Sequence, residues 1–218
     1  MPRRLRVGFP SSLIRRNSLK IESSSLSDRT LWVTFQALPF IESLLTSQAT
    51  VFEYGSGGST VFYSKRVKQV ISVEHDANWF SAVKRVLAEE EISNCHYHLI
   101  PPDHASKSNG SPEDPEAYCS SDPLCAGRCF YKYVTLIDSF PDQFFDFVAI
   151  DGRARPSCVL RARCKVKVGG YLMLDNSERP HYRKARDLLW DWDKHEFYGP
   201  GPYSSYLWET TIWKRVKS

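Results

Sequence analysis

Two short apolar runs, each carrying an acidic residue at its end, most constrain the fold of this 218-residue chain. The first run covers 50–54, and the second covers 69–74 and ends at Glu74. A glycine-rich turn follows the first run, at Gly55, Gly57 and Gly58. Such a pattern predicts two parallel strands joined by a crossover helix, with a turn that lets the backbone approach a ligand. Because an acid after the second strand can accept hydrogen bonds from a ribose, the pair predicts a pocket for a nucleoside-bearing cofactor.

The composition of the turn distinguishes between two kinds of nucleoside cofactor. A dinucleotide fingerprint requires a third glycine, which permits close packing of the helix against the strand. Here Ser59 and Thr60 follow the glycines instead. Glu53 lies two residues before Gly55, where it can meet a cationic or hydroxyl-bearing ligand group. The alternative is an ordinary strand–turn–helix element that uses its glycines for geometry alone.

The pattern from Glu53 to Thr60 resembles motif I of the class I S-adenosylmethionine (SAM) methyltransferases. The resemblance implies SAM as the cofactor, with Glu74 bound to both ribose hydroxyls and His75 or Asp76 near the adenine. The cofactor-binding residues that it implies are Glu53, Tyr54, Gly55, Ser56, Gly57, Ser59, Thr60, Glu74, His75 and Asp151.

Composition places the chain among folded globular proteins, since 42% of its residues are apolar and 13% are aromatic. We expect a single domain over 25–218 and no membrane span, because no stretch approaches ~18 consecutive apolar residues. Much of the net charge of +4 lies in 1–24, which we predict to be a flexible basic segment. This segment is transit-like and lacks the apolar core of a secretory signal, which favours the cytoplasm or an organelle stroma or matrix over secretion.

The cysteines and the remaining charges exclude little else. The rest of the chain carries no basic stripe with interleaved aromatics, so we expect no nucleic-acid partner. Six cysteines in a chain without a secretory signal predict reduced thiols. Cys119, Cys125 and Cys129 cluster at spacings unlike those of a zinc knuckle, and we interpret them as structural thiols. A local disulfide is the alternative if the compartment is oxidising.

Hydrophobic periodicity extends the alternation of helices and strands along the whole domain. The predicted helices cover 29–45 (capped by Ser27 and Asp28), 59–66, 78–90, 131–137, 158–165 and 184–192. The predicted strands cover 50–54, 69–74, 95–100, 145–151, 171–175, 195–198 and 206–214. This order predicts an α/β fold: a seven-stranded, mostly parallel Rossmann-like methyltransferase sheet with helices on both faces and a terminal antiparallel hairpin.

Residues 101–130 interrupt this alternation with turn formers and little apolar content. A loop of this length inside a compact domain is usually functional or disordered. Because it follows the third predicted strand, it belongs at the carboxyl edge of the sheet. We interpret it as a substrate lid.

Three oxygen-bearing residues follow neighbouring strands at that edge, where ligands of open α/β sheets bind. Asp151 ends the fourth predicted strand, and Asp175 and Asn176 end the fifth. The trio resembles the magnesium site of the catechol-type O-methyltransferases, which implies Mg²⁺ holding and acidifying a phenol. The residues after Asp151 depart from that family's general-base motif. The alternatives are an Asp151 that acts on the substrate without a metal and an Asp175–Asn176 pair that only caps a turn.

Basic side chains near this trio complete the predicted chemistry. Arg153 and Arg155 suit a carboxylate or phosphate on the substrate, because a guanidinium matches such anions bidentately; the alternative is solvated surface charge. His181 is the best placed of the candidate general bases. The predicted catalytic residues are Asp151, Arg153 and His181. Three tyrosines are candidates for the lining of an aromatic acceptor pocket, with packing as the alternative: Tyr182, Tyr198 and Tyr203.

Together these features predict a SAM-dependent methyltransferase that acts on a small molecule, with oxygen as the accepting atom. The Asn/Asp-Pro-Pro-aromatic signature of amino and adenine N-methylation is absent after the fourth predicted strand. Two rivals stay open. One is another nucleotide-cofactor enzyme on the same sheet, either an NAD-dependent oxidoreductase or an aminopropyltransferase-like enzyme. The other is a non-catalytic module that keeps the fold for protein interaction.

Overall fold

The computed structural model describes residues 24–103 and 110–217, and all but the last residue of the predicted basic segment over 1–24 lies outside them. The strands are β1 (Thr50–Tyr54), β2 (Gln69–Glu74), β3 (Cys95–Leu99), β4 (Phe145–Ile150), β5 (Val166–Asp175), β6 (Asp193–Gly199) and β7 (Trp208–Lys214). The α-helices are α1 (Ser25–Asp28), α2 (Ala37–Leu44), α3 (Gly58–Ser64), α4 (Ala77–Glu89), α5 (Tyr131–Thr135), α6 (Arg155–Ala162) and α7 (Arg183–Asp187). Short 3₁₀ turns cover Pro123–Cys125, Leu136–Ser139 and Pro180–Tyr182.

The seven strands form one sheet in the order β3-β2-β1-β4-β5-β7-β6. The first five in space pair in parallel, whereas β7 is antiparallel to both β5 and β6. The predicted fold class, including the terminal antiparallel hairpin, is confirmed. The sheet reverses its direction of winding between β1 and β4, so the carboxyl ends of these strands border the crevice where such sheets bind ligands.

The core divides between the two faces because successive strand residues point to opposite sides. On one side Phe52 of β1 and Val148 of β4 pack with α5, α6 and α7. On the other side Val51 and Ala149 pack with α2 and α3. All four side chains are almost fully buried. This two-sided burial accounts for the continuous apolar runs by which the parallel strands were predicted.

The predicted helix over 29–45 is wrong, because 29–36 forms an irregular segment between α1 and α2. Ser24, not the Ser27–Asp28 pair, caps α1, and Arg29 ends it in a left-handed conformation with φ 51°. Only Ala37–Leu44 of the predicted span is α-helical. Only some of the apolar side chains that suggested one helix are buried. Leu31 and Ile41 are buried, whereas Phe35 is exposed.

Three other boundaries also differ from the prediction. Strand β5 begins at Val166 rather than 171, and it carries the Gly169–Gly170 pair inside the strand. Helix α6 begins at Arg155, three residues before the predicted 158, with a proline in its first turn. The last predicted helix shortens to one turn, α7, preceded by a 3₁₀ turn.

The described part of the 101–130 segment packs against the domain. Asp103 and Cys129 form an isolated antiparallel bridge, and the backbone N–H of Tyr118 donates to the hydroxyl of Ser157 on α6. Cys125 and Phe130 are buried in the core cluster around β1 and β4. The role of the 101–130 segment as a substrate lid stays a prediction.

None of the six cysteines, all within the described ranges, forms a disulfide. Among the helices of the described ranges, none has the length and hydropathy of a membrane span.

The segment that contains α1 packs directly on the glycine-rich turn. A Cβ on Gly58 would lie 1.7 Å from the carbonyl oxygen of Ser25 and 2.7 Å from that of Thr30. The buried side chain of Leu26 anchors the same segment against Val61 of α3 and Val83 of α4. The glycine at position 58 therefore permits a backbone contact that any side chain would break.

We expect Gly58→Ala to lower the free energy of unfolding by about 1–3 kcal/mol, because the added methyl forces α1 away from α3. Helix propensity alone predicts the opposite sign, a gain of up to about 1 kcal/mol at the start of α3. Urea denaturation measures the difference. Gly199→Ala is the matched control: no atom beyond its own chain neighbours lies within 4 Å of its added Cβ, and its effect should stay within about 0.5 kcal/mol. A stabilised Gly58→Ala variant would contradict this packing.

Candidate functional site

A cavity of about 620 Å³ opens at the carboxyl ends of β1, β2, β4 and β5. Its volume is within the range of small-molecule and cofactor sites. Its lining from the sheet edge comprises Gly55, Ser56, Gly57, Ser59, Glu74, His75, Asp76, Asp151, Gly152, Arg153, Arg155, Asp175 and Asn176. The rest of the lining comprises Ser24, Ser25, Trp32, Trp79, Tyr203 and Tyr206.

The glycine-rich turn forms one wall through a close backbone approach. Gly55 has φ 90°, a left-handed conformation that side chains rarely adopt, and a Cβ on it would lie 2.6 Å from the Cα of Gly152. The turns after β1 and β4 are thus in backbone contact. A side chain at Gly55 would separate these two turns.

Glu74 lies at the end of β2, and the sequence predicts that its carboxylate binds the ribose of the cofactor. One carboxylate oxygen accepts from the hydroxyl and the backbone N–H of Ser56. The other accepts from the backbone N–H groups of His75 and Asp76 and lies 2.7 Å from Nδ1 of His75. Burial raises the pKa of Glu74, but the bonds from His75 and Asp76 outweigh it, so the pKa lies below its ordinary value. The carboxylate is therefore ionised at neutral pH and oriented beside the cavity.

Glu53 lies beneath the turn rather than in the cavity. Its carboxylate accepts hydrogen bonds from the hydroxyls of Ser59, Thr60 and Ser72, and it is 1% exposed. Burial raises the pKa of Glu53 to about 7 despite these bonds. The acid thus shapes the turn from below, and of its partners only Ser59 also borders the cavity. Tyr54, another predicted cofactor residue, is fully buried and donates to the carbonyl of Val134.

Helix α4 supplies the wall next to Glu74. Asp76 caps the helix by accepting from the backbone N–H of Trp79, and the indole Nε1 of Trp79 donates to the carbonyl of Ser56 at 2.7 Å. Hydrophobic periodicity alone predicts Trp79 in the buried stripe of this helix. The structure instead places it 37% exposed at the cavity, because its indole spans to the glycine-rich turn.

Arg155 holds together the three residues predicted to bind a metal. Its guanidinium donates to Oδ1 of Asp151 at 2.8 Å, to the carbonyl of Asp175 at 2.6 Å and to Oδ1 of Asn176 at 3.3 Å. It also donates to the carbonyls of Asp151 and Gly152, each at 3.0 Å. The guanidinium is buried and fully paired within the chain. Arg155 is therefore not the exposed substrate-binding cation that the sequence suggested.

This arrangement does not fit a divalent ion shared by the same three residues. A cation already lies among their oxygen atoms, and Asp175 directs Oδ1 to the indole of Trp208 at 3.0 Å and the hydroxyl of Thr210 at 2.6 Å. Burial, together with the negative charge of Asp151, raises the pKa of Asp175 to about 7. In the described ranges, no group of three or more His, Cys, Asp or Glu side chains could hold a metal ion.

Arg153 and His181 border a second cavity of about 450 Å³. The two cavities share Gly152, Arg153 and Arg155, and the second is closed by the 110–130 part of the chain, at Pro112 and at 119–123. Arg153 pairs with Asp122 of that segment at 2.9 Å. His181 borders only the second cavity, whereas Asp151 borders only the first. The three predicted catalytic residues are thus divided between two adjoining spaces.

Sequence reasoning missed most of the aromatic side of the first cavity. Trp32 and Tyr206 are exposed at its border, and Tyr203 packs edge-on against Trp32 and donates to Asp28. The sequence had suggested Tyr203 for an acceptor pocket, together with Tyr182 and Tyr198. Tyr182 borders the second cavity, and Tyr198 is exposed on β6. Only the aromatic and proline-rich composition around 198–208 could have signalled this wall.

Comparison with solved structures identifies the fold. A putative O-methyltransferase from Klebsiella pneumoniae matches with a TM-score of 0.61 and 14% identity over 91% of this chain and 84% of that one. The O-methyltransferase TomG from Streptomyces achromogenes, involved in tomaymycin synthesis and solved with SAM, gives 0.61 and 14% over 89% and 91%. An rRNA methylase from Streptococcus thermophilus gives 0.51 and 13% over 84% and 95%.

These likenesses establish the class I SAM-dependent methyltransferase fold for this chain. No protein-family model matches the sequence, and no curated protein matches it significantly.

The raised pKa of Glu53 predicts how stability depends on pH. Because the folded state holds this proton up to about pH 7 and the ordinary value is 4.5, the free energy of unfolding should fall as pH rises through that interval. The contribution is on the order of 3 kcal/mol. In Glu53→Gln the decrease in the free energy of unfolding that Glu53 causes should be absent, whereas the decrease that Asp175 causes should remain. Urea denaturation of both proteins at pH 4.5 and 8 measures it, and parallel pH profiles would contradict the assignment.

Proposed function

We propose that this chain is a SAM-dependent methyltransferase that transfers a methyl group to an oxygen atom of a small molecule. One observation carries the proposal: a single cavity brings together the glycine-rich turn, Glu74 and Asp151 at the ends of β1, β2 and β4. In open α/β sheets, this edge is where nucleoside ligands bind. The solved O-methyltransferases of the same fold support the class of reaction.

The residues around the cavity fit an adenosine-bearing cofactor. The ionised carboxylate of Glu74 is an acceptor for two ribose hydroxyls, and it is fixed before the ligand arrives by Ser56 and the backbone of His75 and Asp76. The indole of Trp79 gives a flat apolar surface next to it. We place the methionine part of the ligand beside Gly55 and Asp151, which both border the same cavity.

SAM, when bound, supplies a methyl group on a positively charged sulfur, so the protein's task is alignment, exclusion of water and removal of one proton. We assign the proton to Asp151, whose side chain is 39% exposed to the cavity while Arg155 holds its Oδ1. Arg155 cannot take part directly, because its donors are already used within the chain. It keeps the carboxylate in place and stabilises its charge.

The acceptor side favours a flat organic molecule over a metal-held one. Trp32, Tyr203 and Tyr206 form an aromatic border across the cavity from the sheet edge. The guanidinium of Arg155 already balances the charge of Asp151, so the proposed reaction does not use Mg²⁺. Partners other than a small-molecule acceptor are not required, and the cytoplasm or an organelle remains the expected compartment.

Three other functions compete with this one. An NAD-dependent oxidoreductase would bind NAD in the same cavity, and an aminopropyltransferase-like enzyme would bind a decarboxylated relative of SAM. A non-catalytic module would bind neither. The similarity to an rRNA methylase makes an RNA acceptor a further outcome to be tested. Titration with SAM, S-adenosylhomocysteine and NAD distinguishes the proposed methyltransferase from the oxidoreductase and from the non-catalytic module.

We expect Glu74→Ala to weaken the binding of S-adenosylhomocysteine by at least tenfold, because both ribose hydroxyls lose a charged acceptor. Isothermal titration calorimetry measures the affinity, and the unfolding temperature reports whether the fold is kept. Glu89→Ala, which removes an exposed acid near the end of α4, is the matched control and should bind as the unmodified chain does. Equal affinities in the two variants would show that the ribose assignment is wrong.

We expect Asp151→Asn to lower kcat by about 10²–10⁴-fold once an acceptor is found, since an amide cannot take up the proton. A panel of phenols and hydroxy acids with methyl-labelled SAM provides the assay. Asp187→Asn, an exposed acid on α7, serves as the control. A kcat for Asp151→Asn within threefold of the unmodified chain would remove Asp151 from proton transfer.

A further inference from the structure

The second cavity is the feature of the molecule that the proposed function has not used. Its lining combines residues from three places: the 3₁₀ turn at Pro123–Cys125 and the residues before it, the start of α6, and the turn at Pro180–Tyr182. It adjoins the first cavity through Gly152 and Arg153. A molecule placed across this junction would reach from one cavity into the other, next to Asp151.

The lining of the second cavity is rich in cations. Three arginines border it, against a single acid, Asp122. Asp122 pairs with Arg153, and Arg155 is committed to Asp151. Arg179 forms no ion pair within the described ranges, and it lies near enough to act electrostatically on both Asp151 and His181. Arg179 is therefore available to pair with an entering anion.

Two buried polar atoms at this cavity also lack partners. Nε of Arg153 and Nε2 of His181 make no hydrogen bond in the described part of the chain. A buried donor without a partner costs about 1–3 kcal/mol, so such atoms usually mark a site that a ligand or water completes. Burial and the nearby Arg179 lower the pKa of His181, which agrees with a locally positive surrounding.

We propose that the second cavity binds a carboxylate or phosphate group of the methyl acceptor, through Arg179, Arg153 and His181. Guanidinium groups hold such oxyanions in bidentate geometry, and an imidazole can add a third donor. The inference rests on the proposed function only in naming the acceptor as the source of the anion. It makes the substrate an anionic molecule whose nucleophilic oxygen lies beside Asp151 while its acid group is held beyond Arg153.

The nearby acids do not cancel this charge. Glu178 accepts from the backbone N–H of Glu209. Glu113 is exposed, and neither glutamate borders the cavity. The acid that does border it, Asp122, uses Oδ2 for Arg153 and Oδ1 for the backbone N–H of Leu124. Asp122 therefore positions Arg153 and leaves Arg179 as the principal cation for an entering anion.

The test uses inorganic phosphate as the probe, because it presumes nothing about the carbon skeleton of the acceptor. The full chain, labelled with ¹⁵N and saturated with S-adenosylhomocysteine, is titrated with phosphate at constant ionic strength. We expect saturable shifts of the Arg153 Nε–H and His181 ring signals. In Arg179→Gln the apparent affinity should fall at least fivefold, and in Arg179→Lys it should fall less. The matched control is Arg183→Gln, an exposed arginine on α7, which should leave the phosphate titration unchanged.

The outcomes separate this proposal from the proposed function. Linear, non-saturating shifts at Arg153 and His181, or equal affinities for the Arg179→Gln variant and the unmodified chain, would overturn the anion site. If S-adenosylhomocysteine fails to bind but phosphate still saturates these signals, the anion site stands and the methyltransferase proposal fails. If S-adenosylhomocysteine binds and phosphate does not, only the anion site is lost.

Discussion

The hydrogen bonds of the Arg155 guanidinium fix the floor of the cavity, and the rest of the site depends on them. Burying a cation is costly unless it is paired and all of its donors are used. Here the cost is met by the turns after β4 and β5, which present the Asp151 carboxylate, three backbone carbonyls and the Asn176 amide to one planar group. Because these partners belong to two neighbouring strand ends, the guanidinium sets the distance between them.

The hydrogen bonds of Arg155 also determine which of the neighbouring side chains can act on a ligand. Asp175 is turned away to Trp208 and Thr210 of β7, so the antiparallel hairpin supports the carboxyl end of β5. Asp151 keeps a partly exposed side chain. Arg153, two residues before Arg155, is directed to Asp122 instead. One buried arginine thus holds Asp151, the proposed proton acceptor, at the first cavity.

The sheet could be predicted because its signals are local. Parallel strands buried on both faces appear as apolar runs, and the glycines and acids after them occur at the sequence positions where the topology places a ligand. The break at Arg29 could not be predicted in this way. It depends on the contact of Ser25 and Thr30 with Gly58, which joins segments about thirty residues apart, and the periodicity of 29–45 carries no trace of it.

The site was predictable at the level of residue types and less so at the level of partners. Glu74 and Asp151 both border the cavity, as the strand ends indicated. Glu53 carries the same type of side chain but lies under the turn, because three hydroxyls from α3 and β2 surround it. The sequence cannot distinguish an arginine that meets a substrate from one that is paired inside the chain. The trio Asp151, Asp175 and Asn176 was recognised, yet the cation among them comes from Arg155.

A crystal structure of the chain with S-adenosylhomocysteine tests the central claim most directly. We expect the ribose hydroxyls to lie within about 3 Å of the Glu74 carboxylate, which is hydrogen-bond distance. We also expect the sulfur to lie on the side of the cavity toward Asp151, with the Arg155 contacts unchanged. A ligand bound elsewhere, or bound in this cavity with its ribose away from Glu74, would contradict the account.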